Sequence, residues 1–298
     1  MAGAFFYNKN MFSIPGLEKF NGSYYDAYKA IYSLCAFEVT KLRTLFPEGA
    51  INDINGYKVR IITKEMYAFH SMITIIENNQ DYSTSASILR SIADNLSTYI
   101  LIYHQKTLDE LMLRHYLYIL DGTGAHHTAL CSIHPSIDVP ISSKEKQEIE
   151  RNVVFAQQNT SDAMFFCKEK IMKLNINKEK PDVVDHLLKT KNGWRYKSLD
   201  CYEQTLSWKE MYPLINGKES SQFFISYLSQ YVHGLSSSNL LIDSDCMDTF
   251  EPLVGIGITF LGKILEFIQN DFGIEKDFLL DGFLKSEYAT DFILCELL

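Results

Sequence analysis

The sequence predicts an all-α protein, an antiparallel bundle of several long helices, and three observations carry that prediction. Apolar residues recur at three- and four-residue spacing over long windows. Seven Pro and fifteen Gly in 298 residues are too few to punctuate a loop-rich chain. Strand alternation is nearly absent; the short alternation before Asn192-Gly193 reads as a single hairpin. With 46% hydrophobic residues, the chain can bury one large core or two smaller ones. We read residues 1–298 as a single helical domain, with an N-terminal extension at 1–21, helices over 22–174, an inserted polar loop at 175–199, and helices over 200–298.

The elements follow in order. Asn21-Gly22 opens a helix over 22–47 that stops at Phe46-Pro47, and a second helix over 58–79 ends at Asn78-Asn79. Ser83 caps a third over 83–106. A fourth, 108–120, breaks at Asp121-Gly122-Thr123-Gly124, and a short helix follows up to Pro135. Residues 143–174 open with Ser143 and carry Glu145, Glu148 and Glu150 early, where the helix dipole favours acids. Further helices are expected at 200–211, 219–236, 244–271 and 285–297. In 244–271, the run from Pro252 to Ile268 is interrupted by Lys263 and Glu266 and falls short of a membrane span. It reads as a buried helix whose Gly255, Gly257 and Gly262 admit a close neighbour.

Composition bounds the function. A net charge of -9 implies ordinary solubility, and any nucleic-acid contact would need a local basic patch. The six Cys form no CxxC pair, and the N-terminus has neither the basic start nor the apolar run of a secretory signal, so a cytoplasmic location is expected. No Walker A, GxGxxG, HExxH, GxSxG or paired ExxH motif is present, which disfavours the chemistries those motifs serve. No cofactor is implied.

Three segments carry the candidate site. In a helix over 88–103, Ile88, Leu89, Ile92, Leu96, Tyr99, Ile100 and Tyr103 share one face, while Arg90 and Asp94 lie opposite, one turn apart. They form either a solvated ion pair or the polar end of a core helix. In 223–236, Phe224, Leu228, Tyr231 and Leu235 line one face, and Ser226, Ser229 and His233 make a polar stripe on the other. His233, a turn after Ser229, is either a satisfied structural histidine or a general acid or base near neutral pH. Between these segments, Trp194 and Tyr196 alternate with Arg195 and Lys197, with Ser198 next. Aromatics among cations suit base stacking and phosphate contact, and they equally suit a loop pinned to the bundle by its rings. On one helix face His127, Cys131 and His134 have spacings that admit a metal, but Pro135 ends the helix and no carboxylate completes the set; no metal is expected.

In their order, Arg90-Ser91 with Asp94, Trp194 with Lys197-Ser198, and Tyr227, Ser229 and Val232-His233 resemble an uncharacterised family of bacterial all-helical proteins, a "domain of unknown function" group, over residues 83–240. This chain carries Asp94 where that family has Glu, and Leu228 where it has a basic residue after the Tyr. The family broadly resembles, by analogy of fold, the helical bundles called HEPN domains, which include nucleotide-binding proteins and ribonucleases. In those nucleases an Arg lies a few residues before the catalytic His on one helix; here Ser229 and Leu228 hold the nearest such positions. The lack of a complete catalytic set points to a binding or structural protein, a component of a bacterial defence or stress system, with RNA or a protein as partner, no membrane, and self-association possible. Its alternative is a metal-independent ribonuclease in which His233 moves the proton, Arg90 stabilises the phosphorane and Asp94 orients one of them, with Trp194, Lys197, Ser198, Tyr227 and Ser229 around the RNA.

Overall fold

The structure, a computed structural model, describes residues 23–47, 49–133, 142–232 and 250–274. Among the described residues there is no β-strand, only an isolated antiparallel bridge between Tyr196 and Thr205. The all-α expectation holds. The helices are α1 (Tyr24–Leu45), α2 (Ile54–Asn78), α3 (Tyr82–Tyr103), α4 (Leu108–Cys131), α5 (Ser143–Lys173), α6 (Asn175–Glu179), α7 (Pro181–Lys189), α8 (Trp208–Met211), α9 (Pro213–Asn216), α10 (Lys218–Val232) and α11 (Glu251–Phe272), with a 3₁₀ turn at Gly193–Arg195. They form two compact units: unit 1 takes residues up to Thr98 and from Tyr212 onward, and unit 2 takes Tyr99–Met211.

The starts of the five long N-terminal helices are set by side-chain caps, which also explain where the expected boundaries shift. Ser23 and Asp26 form a capping box for α1, as Ser142 and Glu145 do for α5, one residue before the Ser143 expected to open it. Asp53 accepts from the Gly56 amide, so α2 begins four residues earlier than the expected 58. For α3 the cap is Asp81, which accepts from the Thr84 amide at 2.9 Å; Ser83 is not the cap.

In unit 1, α1 packs against α2 and α11. Tyr28 is fully buried, its hydroxyl donating to the Phe69 carbonyl at 3.4 Å. Its ring fills the space at Gly257, where a Cβ would stand 2.7 Å from Tyr28 Cε2. The close approach expected of the α11 glycines is thus realised at Gly257; Gly255 faces open space. Each such fully buried large side chain contributes about 1.5–3 kcal/mol. Lys58 of α2 and Asp271 of α11 form an ion pair, 3.3 Å apart with both side chains largely covered. No helix among the described residues is long and apolar enough to cross a membrane.

Unit 2 is built on the α4–α5 pair. The break expected at 121–124 does not occur. Gly122 and Gly124 each cost about 1 kcal/mol of helix propensity, but α4 runs through them because its far end is held by α5. Gln157 donates to the Leu130 carbonyl at 3.2 Å, and Met164 packs at Gly124. The stretch 175–199 is not a loop: it holds α6, α7 and the 3₁₀ turn. The hairpin expected at Asn192-Gly193 is a helix stop instead. Asn192 takes the left-handed conformation (φ 56°), and Gly193 passes so close to α7 that a Cβ would lie 2.2 Å from the Leu187 carbonyl oxygen. Of the helix expected over 200–211, only Trp208–Met211 forms. The helix expected over 285–297 lies outside the described residues.

Candidate functional site

Arg90 and Asp94 meet as their spacing on α3 predicts. Arg90 Nη1 bonds the Asp94 carboxylate, and Nε reaches Ser229 Oγ on α10 at 3.4 Å. Sequence reasoning missed the third partner. Tyr212, the residue just before α9, lays its ring under the guanidinium, 4.6 Å from centroid to Cζ, and donates its hydroxyl to Asp94 Oδ1 at 2.6 Å. The carboxylate therefore takes a guanidinium and a phenol together, and the arginine is held along an edge and on a face. Burial and then Asp94 push the Tyr212 phenol up, so it stays a donor. The cluster is sheltered rather than sealed: side-chain exposure is 17% for Arg90 and 35% for Asp94.

Tyr227 lies on the same helix as Ser229 and hydrogen-bonds Tyr82 through the two hydroxyls, with the Tyr231 ring tilted against Tyr82 at 5.0 Å and edge-on to Tyr227 at 5.5 Å. Burial and the Tyr227 neighbour push the Tyr82 phenol well up. Phe224, Leu228 and Tyr231 are buried, as the helical face predicts. Leu228 is wholly buried, so a charge there would have no solvent. His233 and Leu235 lie outside the described residues, as does His134.

One further group of unit 1 was not anticipated. Glu65 of α2 is 1% exposed, and neither carboxylate oxygen has a hydrogen-bond partner of ordinary geometry among the described residues. Burial pushes its pKa up to about 8; the negative Asp94 adds to the rise, while Lys64 and the Asn95 side chain oppose it. A signal was present in the sequence: Ile62, Glu65, Met66 and Phe69 share one face, so Glu65 falls on the core stripe.

Unit 2 places the remaining candidates. Trp194 is a core residue, 4% exposed, edge-on to Tyr118 at 5.2 Å, so its ring is not offered to a base. The expectation that Trp194 holds RNA gives way to the pinned reading of this segment. Its carbonyl accepts from Arg114 Nη1 at 2.9 Å. Arg114 itself is buried over the Tyr196 ring at 3.7 Å, with Glu110 at 3.8 Å. Lys197 is exposed and near Gln204 Oε1, and Ser198 Oγ accepts from the Cys201 amide at 3.1 Å, a local turn. His127 shares a hydrogen bond with Thr160 at 2.8 Å and sits 3.5 Å from Cys131 Sγ. No group of three metal-ligating side chains occurs among the described residues.

Compared with protein-family models, with curated proteins and with solved structures, the chain matches none significantly.

Proposed function

We propose that this chain is a non-catalytic helical binding or structural protein, in which Arg90 is a clamp between α3 and α10. One observation carries the reading: the Arg90 Nη1, Nε and one face of its guanidinium are each taken by groups of the chain itself, Asp94, Ser229 and Tyr212. A guanidinium engaged in this way orders helices, and its charge is already partly matched by the Asp94 carboxylate rather than reserved for a developing phosphorane charge. The expected role in a defence or stress system goes with this reading.

A second reading has its own support. Arg90 and Asp94 keep partial access to solvent, and His233 follows Ser229 by four residues in the chain. That is the material of a metal-independent ribonuclease with His233 as general acid or base.

One pair of measurements separates the two. Purified protein and its His233→Ala variant are incubated with total RNA in EDTA, and both are melted. The structural reading expects no cleavage by either and a lower melting temperature for Arg90→Ala and for His233→Ala. Cleavage by the parent that His233→Ala abolishes, with melting unchanged, would replace it with the nuclease.

A further inference from the structure

We infer that the cleft between the C-terminal end of α1 and the first half of α2 binds a phosphate group, borne by a small phosphomonoester. A cavity of about 380 Å³ opens there, lined by Arg43, Phe46, Pro47, Val59, Arg60, Thr63, Lys64 and Tyr67. Arg43, Arg60 and Lys64 are exposed cations, and no carboxylate lines the cavity among the described residues. None of the three makes an ion pair among the described residues, in a chain whose net charge is -9. Arg60 and Lys64 stand one turn apart on α2, where like charges oppose each other and destabilise the helix. A dianion between them turns that repulsion into two charge-assisted hydrogen bonds.

Three local features support a place built for an anion. Arg43 Nη1 donates to the Tyr67 hydroxyl at 3.3 Å, which aligns α1's cation with the α2 pair. The Arg60 side chain runs over Gly49 so closely that a Cβ there would lie 2.7 Å from its Cδ and Nε. Thr63, between the two cations in sequence, lines the same cavity, and its Oγ1 has no hydrogen-bond partner among the described residues. Apolar residues also line the cavity: Val59 is buried, and the Phe46 ring packs on Phe272 at 5.7 Å. A lining that combines cations with apolar and aromatic side chains fits a phosphate carried on a flat or apolar body better than a bare ion.

The test is calorimetric titration of the full chain with inorganic phosphate, AMP and adenosine. AMP is expected to bind, with phosphate equal to it or weaker, and adenosine not to bind. Arg60→Gln with Lys64→Gln should weaken AMP at least about tenfold, since it removes both charge-assisted hydrogen bonds and the loss of one alone is worth about that much. Lys168→Gln, an exposed charge removed from unit 2, should leave it unchanged. Arg43→Gln on α1 gives an independent reading if the double variant melts early. The proposal is overturned if neither AMP nor phosphate binds, if adenosine binds as tightly as AMP, if the α1 and α2 variants bind like the parent, or if Lys168→Gln loses as much as they do.

Discussion

Each unit holds an arginine stacked on a tyrosine, with a carboxylate one helical turn away that also takes the tyrosine hydroxyl. In unit 1 the set is Arg90, Asp94 and Tyr212; in unit 2 it is Arg114, Glu110 and Tyr196, whose hydroxyl donates to Glu110 at 3.3 Å. The chemistry is the same and the solvation is not. Arg114 and Glu110 are 2% and 17% exposed, Arg90 and Asp94 17% and 35%. In unit 2 the fourth partner is a backbone carbonyl, that of Trp194; in unit 1 it is a hydroxyl, that of Ser229. A sealed set is costly to disturb because a buried group loses its partner with no water to replace it. A sheltered set costs less to disturb and stays open to outside groups. The comparison separates an arginine that only holds structure from one that holds structure where a ligand could reach it.

The largest effect is expected at Arg114. Arg114→Ala leaves Glu110, the Tyr196 hydroxyl and the Trp194 carbonyl short of a partner, and should cost about 3–5 kcal/mol by denaturant melting. Arg114→Lys should recover little of it, since an ammonium cannot bond the carbonyl and cover the ring together. If Arg114→Ala costs no more than Arg90→Ala, burial does not distinguish the two sets.

Glu65 comes next. Its folded pKa, about 8, lies above the unfolded value, so the folded state binds the extra proton between the two. Stability is therefore fullest below the ordinary Glu range and falls as pH rises through about 8. Glu65→Gln should remove that slope and stabilise the protein above this range by a few kcal/mol, on the order of the shift it abolishes. Melting temperature against pH for both proteins measures it, and parallel curves would show that Glu65 is not the source.

Gly193→Ala should cost about 1–3 kcal/mol, because the added methyl meets a backbone carbonyl that cannot turn aside. Arg90→Ala should cost about 1–2 kcal/mol, within the range for hydrogen bonds to charged groups at a partly open site. Tyr212→Phe, which removes a single phenol from Asp94, should cost about 0.5–1.5 kcal/mol. An Arg90→Ala loss equal to that of Arg114→Ala would mean the unit 1 set is closed in solution.

The helical fold was legible because period and caps are local signals. Arg90–Asp94 was legible for the same reason, and Ser229 emerged from the polar stripe on its helix. Glu110–Arg114 carries the identical spacing and was passed over, although Glu110, Leu113, Arg114 and Leu117 share a face that buries the arginine. Tyr212 and Tyr196 were out of reach: they join their arginines across 118 and 86 residues of chain from the acids they bond, and nothing local encodes such a return. The 175–199 stretch read as a loop because its charges dilute the apolar pattern, yet Val183, Val184 and Leu187 are buried at helical spacing within it.

The buried Glu65 has an outcome beyond stability. At neutral pH the unfolded chain carries this carboxyl ionised, while the folded chain carries it largely neutral. Folding there draws close to one proton out of solution. Heat measured on refolding should accordingly differ between phosphate and Tris by the difference in the heats those buffers absorb on surrendering it.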